Sequence, residues 1–297
     1  MIAKAYSPAG LSGMFSTHIV EGDLLRTGAS GGGITLKEGV LVSVRIEEAE
    51  SSKINTLLNG KECDCYVARK VAEKLLKKAE GEYEITIDQS IKVPIGGGLG
   101  TSGASAIATS LALGKALNLK MTYEELARVA HVVEIESCTG LGTVSGLAVG
   151  GVVLVTKAGA PGFDEVERLV VDPSLKVVLG FYKPIEKRKV LENKNLDAIN
   201  KYGLQALQSV KENPCIEEFM ESCFWFARTT GLLSHKVLKG IEASLDAGAL
   251  AASQAMIGET VFSIVDNEKV EDVASSLRNT GALVVISEIE ACPARLL

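Results

Sequence analysis

A chain of 297 residues is long enough for two domains of ordinary size or for one large α/β domain with a substantial core. Hydrophobic residues make up 46%, charged residues 23%, and the net charge is -6, which excludes a disordered chain and a basic nucleic-acid binder. The first residues, MIAKAYSPAGLSG, lack a charged region leading into a long apolar one, and no uncharged apolar run reaches about 18 residues. A cytoplasmic protein is therefore expected, with neither membrane nor nucleic acid as partner; nothing in the sequence decides against a homodimer. The cysteines at 63, 65, 138, 215, 223 and 292 form no repeated CxxC pair and have no histidine at zinc-finger spacing, so reduced, structural thiols are expected.

In chain order, the first half reads as strands followed by helices around glycine-rich turns. Residues 28–33, GASGGG, read as one such turn, in which Ser30 with Gly31 to Gly33 offers either a second anion nest or a purely structural bend. Residues 83–88 alternate as a half-buried strand does. A glycine-rich loop follows, and residues 101 to about 119 are small and helix-friendly, predicting a closely packed helix. Thr122 three residues before Glu125 forms a capping box for a second helix reaching about residue 137, with Leu126, Val129, Ala130 and Val133 on one face. A turn at 139–142 leads to an apolar strand at 150–155. The breaker-rich AGAPG at 158–162 is the expected boundary between a domain of residues 1–160 and one of residues 161–297. The second half predicts a strand at 176–181, a helical region from 195 to 239 interrupted at Pro214, and a helix around 241–252. Strands at 260–265 and 282–286 then bracket a helix beginning near Val270, the pattern of a small α/β sandwich.

The loop Lys92-Val93-Pro94-Ile95-Gly96-Gly97-Gly98-Leu99-Gly100-Thr101-Ser102-Gly103 carries the most chemistry. Consecutive glycines let backbone N–H groups approach a bulky anion, and the helix behind them adds unpaired N–H groups and the positive end of its dipole. Such a loop suits a polyphosphate. Thr101 and Ser102 place hydroxyls in the first turn, where they can cap the helix or ligate Mg²⁺. A Walker A loop is excluded, because no Lys-Ser or Lys-Thr pair follows. Gly98, Gly100 and Gly103 formally satisfy the dinucleotide fingerprint, but Pro94 interrupts the approach and the preceding strand is half polar.

The segment Pro94 to Gly103 resembles the P-x-x-x-G-L-G-S-S-A signature of the GHMP kinases. Further segments, Tyr6 to Gly13, Gly28 to Gly33, Thr139 to Gly142, Gly159 to Gly162 and Gln254 to Phe262, are similar to those of its archaeal pantoate kinases. The resemblance spans nearly the whole chain. It implies an α/β (α+β) fold of two domains, the first ribosomal-S5-domain-2-like, the second a ferredoxin-like α/β sandwich. It implies ATP and Mg²⁺ as cofactors, with Pro94, Gly96, Gly97, Gly98, Leu99, Gly100, Thr101 and Ser102 around the phosphates and Ser102 touching the metal. One carboxylate for Mg²⁺ is expected from the 122–137 helix. Periodicity leaves Glu134 and Glu136 on opposite flanks and does not choose, whereas the family pattern ahead of T-G-L-G places its acid at Glu134. His131, one turn earlier, reads as structural.

At position 143 the chain departs from the family. Related sequences read G-L-G-D-V, and that Asp corresponds to the catalytic base of mevalonate-type members; here Thr143 cannot accept a proton at neutral pH. The candidate catalytic set is Ser102, Glu134 and Thr143. Arg26 and Lys4 are candidates to grip a substrate carboxylate, with Ser30 and Gly31 beside them. The implied reaction is phosphorylation of a small organic acid, with pantoate first. A mevalonate-type acid such as mevalonate 3-phosphate is the second reading, and a non-catalytic nucleotide-binding relative the third.

Overall fold

The computed structural model describes residues 1–185 and 195–297. Its first sheet is built on two long antiparallel strands, β1 (Ile2–His18) and β2 (Gly28–Glu48). Their register shifts between Pro8 and Ala9, where proline has no N–H for the ladder, and again between Ser12 and Met14. The chain continues through β3 (Lys53–Leu58), β4 (Lys61–Glu62), α1 (Tyr66–Leu76) and β5 (Tyr83–Ile91). Then come α2 (Thr101–Ala116), α3 (Tyr123–Glu136), α4 (Thr143–Leu147) and the hairpin β6 (Val152–Lys157) and β7 (Glu165–Leu169). Among the described residues this sheet runs β12-β1-β2-β5-β3-β4, where β12 is the short strand Arg295–Leu296 near the end of the sequence, with β6 and β7 attached at the glycine-rich end of β2.

The second sheet is antiparallel, in the order β11 (Leu283–Glu288), β8 (Lys176–Lys183), β10 (Glu259–Val265), β9 (Ala251–Gln254). Among the described residues the helices of this half are α5 (Leu196–Glu212), α6 (Ile216–Thr229), α7 (His235–Asp246) and α8 (Val270–Asn279). The short β12 (Arg295–Leu296) returns to pair with β1.

One apolar cluster packs α1, α2 and α3 on the first sheet, joining Val42, Val44, Ile85 and Ile87 to Ala104, Ile107 and Leu111. Small residues let α2 and α3 approach closely: a Cβ on Gly114 would lie 2.7 Å from a methyl of Leu126. The predicted capping box of α3 is present, with Thr122 Oγ1 accepting from Glu125 N–H and the Glu125 carboxylate accepting from Thr122 N–H. A second cluster joins the two halves, bringing Leu11, Met14 and Ile34 against Phe219, Phe226, Phe262 and Ile264. No helix among the described residues is long and apolar enough to cross a membrane.

Four expectations are corrected. Residues 28–33 are not a turn but the start of β2: a Cβ on Gly31 would sit 2.3 Å from the Met14 carbonyl oxygen, and one on Gly33 2.4 Å from that of Leu11. These glycines serve close backbone approach, which leaves the turn signals of a glycine run without a turn. The breakers at 158–162 form the turn of the β6–β7 hairpin, so the chain leaves the first sheet after Leu169, not at residue 160. The helix expected at 241–252 is α7, which starts at a Ser234 cap accepting from Val237 N–H and ends before Gly248 with φ of 99°. Its expected tail is strand β9, because pairing with β10 overrides the helix propensity of its alanines. The helical stretch from 195 to 239 breaks at Pro214, as predicted, and a second time around Gly231.

Candidate active site

Strand β5 and Val93 deliver the glycine loop to the seam between the two sheets. Gly96, Gly98 and Gly100 take φ values of 79°, 79° and 59°, a region costly to residues with a Cβ. The loop is held from outside by its carbonyls. Gly96 O accepts from Ile185 N–H at 3.0 Å, Gly97 O from the Thr260 hydroxyl at 2.7 Å, and Leu99 O from Gly10 N–H at 3.2 Å. The loop N–H groups are left over: from Gly96 to Gly103 none has an acceptor among the described residues. The α2 N-cap is Gly100, which has no side chain to cap the helix, and the Thr101 and Ser102 hydroxyls do not cap it either. Eight consecutive N–H groups without an acceptor, running from the loop into a helix N-terminus, can receive an anion, and their number suits several phosphates.

Glu134 reaches the same place from α3. It is 2% exposed, its Oε1 accepts from the Thr139 hydroxyl at 2.5 Å, and its Oε2 lies 3.0 Å from where a Cβ on Gly103 would stand. No donor to Oε2 is found among the described residues. A buried carboxylate in the last turn of a helix, at the negative end of its dipole and with one hydroxyl partner, is under-compensated by protein alone. Glu136 is different in kind: it pairs with Lys74 Nζ at 2.9 Å on the surface. Thr143, first residue of α4, wedges its methyl against the loop, 2.7 Å from a Cβ position on Gly100. Ser102, Glu134 and Thr143 are thus brought to one end of the loop. Among the described residues no three acids, histidines or cysteines form a metal cage. One carboxylate and one hydroxyl fit Mg²⁺, which usually keeps waters and substrate phosphates for its other positions.

A cavity of about 830 Å³ opens beside this point. Gly98, Gly100, Thr139 and Thr143 form one end; Ser30 and Gly31 lie along β2; Phe15, Ile19, Val20, Leu24 and Leu196 supply apolar wall. Among its described lining residues the charged side chain is Glu21. Arg26 is not in the lining: its guanidinium is bound to Asp23 at 2.5 Å, lies 5.8 Å from the Phe163 ring centroid, and is 66% exposed. Lys4 is exposed on β1. His131 is buried and faces the Thr27 carbonyl at 2.9 Å from Nε2, and burial pushes its pKa below the usual histidine value. It therefore anchors the residue 19–27 segment that walls the cavity, and the structural reading of His131 stands.

Sequence reasoning missed two contributors. Thr139 touches the Glu134 carboxylate, and its position within the T-G-L-G turn was the signal available. Gly258 packs against the loop so closely that a Cβ would meet Gly97 O at 2.1 Å. That contact explains chemically why the stretch Gln254 to Phe262 carries a glycine, although only the folded chain shows what it faces.

A family model described as the GHMP kinases N terminal domain matches residues 66–151. The pantoate kinase of Methanocaldococcus jannaschii is 32% identical over 277 residues, covering 92% of this chain and 97% of that protein. The pantoate kinase of Thermococcus kodakarensis is 30% identical over 294 residues, covering 97% and 96%. A solved structure described as a phosphotransferase related to the CoA biosynthesis pathway superposes with a TM-score of 0.92 at 27% identity, over 100% of this chain and 99% of that one. With the uncapped loop, the two-sheet architecture and these full-length likenesses in hand, the chain belongs to the GHMP kinases, phosphotransferases that act on an alcohol group.

Proposed function

We propose that the chain transfers the γ-phosphoryl group of ATP to a hydroxyl of pantoate, giving 4-phosphopantoate on the way to coenzyme A. The observation that carries the choice of acceptor is the cavity lining, apolar over much of its wall and without lysine or arginine among the described residues. Pantoate is a small dihydroxy acid with a dimethyl-substituted carbon that suits apolar wall and one carboxylate, which a hydroxyl such as that of Ser30 can help to satisfy. Mevalonate 3-phosphate would bring a phosphate of nearly two charges into the same wall, a burial that calls for cations. The full-length likeness to two pantoate kinases supports the same reading.

In this reading the N–H groups from Gly96 to Gly103 hold phosphate oxygens, while Ser102 and Glu134 hold the cation. Magnesium-ATP, when bound, supplies the transferable phosphoryl group and the positive charge that neutralises it. Thr143 orients the acceptor hydroxyl at the loop without taking its proton. A loose phosphoryl-transfer transition state asks little of a base, so positioning and charge neutralisation carry most of the rate. Apolar wall residues keep water away from the reacting end.

Purified protein with Mg-ATP and a panel of pantoate, mevalonate, mevalonate 3-phosphate and homoserine, followed by ADP release, tests the proposal. Pantoate should give the highest kcat/KM. ADP formed only with mevalonate 3-phosphate would reassign the acceptor. ATP binding with no ADP from any acid would make the chain a non-catalytic relative.

A further inference from the structure

We infer that Thr139 is a positioning residue that fixes the metal-facing orientation of Glu134. The inference rests on the reading of Glu134 as the magnesium ligand. Cys138 takes φ of 54°, its N–H donates to Ile135 O at 3.0 Å, and the N–H of Thr139 donates to Glu134 O at 3.0 Å. Those two bonds and the left-handed residue between them define a Schellman ending, here with cysteine where glycine is usual.

In such an ending the residue after the left-handed one folds back over the helix position five residues earlier, and an apolar contact commonly joins the two. Here those positions are Thr139 and Glu134, and a hydroxyl–carboxylate hydrogen bond of 2.5 Å takes the place of the apolar contact. The donor occupies Oε1. Oε2 is left toward Gly103 in the first turn of α2 and toward Gly140, where a Cβ would come within 2.4 Å of it. The turn thus does two things to one carboxylate: Thr139 holds one oxygen, and Gly140 leaves room beside the other. A carboxylate free to rotate about its last bond would spend part of its time with neither oxygen aimed at α2. Fixing it in advance lowers the ordering cost of cation binding, as partners of metal ligands do elsewhere.

Valine at position 139 keeps the shape, removes the hydroxyl and supplies the apolar residue that this kind of helix ending commonly carries, so Thr139→Val is expected to fold. Serine restores the donor. The measurement is calorimetric binding of a non-hydrolysable ATP analogue as Mg²⁺ is titrated, which needs no turnover. Thr139→Val should raise the Mg²⁺ concentration for half-maximal binding by about tenfold, leave metal-free nucleotide binding unchanged, and be rescued to within about twofold by Thr139→Ser. An unshifted Mg²⁺ requirement in Thr139→Val, alongside a raised one in Glu134→Gln, would overturn the role of Thr139 and leave Glu134 as the ligand. An unshifted requirement in Glu134→Gln would overturn both. Should the valine variant not fold, Thr139→Ala is read by the same criteria.

Discussion

At the scale of single residues, burial separates groups that the sequence left equivalent. Helical periodicity put Glu134 and Glu136 on the two flanks of α3, and only a family pattern preferred the first. In the folded chain Glu134 is 2% exposed beside the glycine loop, whereas Glu136 sits on the surface with Lys74. Exposed pairs of that kind contribute little, so Glu136→Gln should leave turnover within about twofold of the parent. Ser102→Ala and Glu134→Gln remove groups proposed to hold charge in the transition state, and each should lower kcat by roughly a hundredfold or more. Steady-state kinetics at saturating Mg-ATP decides this; a crippled Glu136→Gln with a mild Glu134→Gln would reverse the assignment. Arg26 shows the opposite limit. A cation near glycine-rich sequence was a reasonable partner for a carboxylate, but Asp23 three residues earlier pairs with it, and its place over Phe163 depends on the hairpin turn that brings that ring alongside, which no local pattern encodes.

Elements were legible where a local chemical signal ends them. The capping box of α3 and the small-residue face of α2 announced both helices, and the alternation of β5 announced a half-buried strand. Glycine was the ambiguous letter. In the 94–100 loop it allows positive φ, whereas in β2 it admits the backbone of β1, and a sequence shows both as a run of breakers. Between these elements His131 ties α3 to the cavity wall at Thr27. Burial lowers its pKa in the folded state, so the unfolded chain binds the proton more readily. The stability this supplies is fully present above the usual histidine pKa of about 6.5 and is lost as pH falls from there toward the depressed folded value. Thermal midpoints should therefore drop on acidification below about pH 6.5, and the drop should be smaller in His131→Gln. An equal drop in both proteins would assign the pH dependence to other groups.

For the whole molecule, the sequence suggested two units joined near residue 160, since breaker-rich stretches are the usual mark of a linker. What the chain builds there is a hairpin, and the cluster holding Leu11, Met14 and Ile34 against Phe219, Phe226 and Phe262 belongs to both halves. Long-range packing of this sort leaves no compositional trace at the crossing point. Urea unfolding followed by tryptophan fluorescence, from Trp225 in the second half, and by far-ultraviolet circular dichroism should give coincident transitions. Separated midpoints would mean that the halves unfold independently in spite of their common core.

The glycine loop is tied by Gly10 to the first sheet and by Thr260 to the second. Thermodynamic linkage follows from that double attachment. A nucleotide that binds only the folded loop adds about 2.7 kcal/mol at a hundred times its dissociation constant. Because the loop bridges the two sheets, that increment would resist their separation as well as local fraying, and a nucleotide held there would act as a reversible cross-link between them.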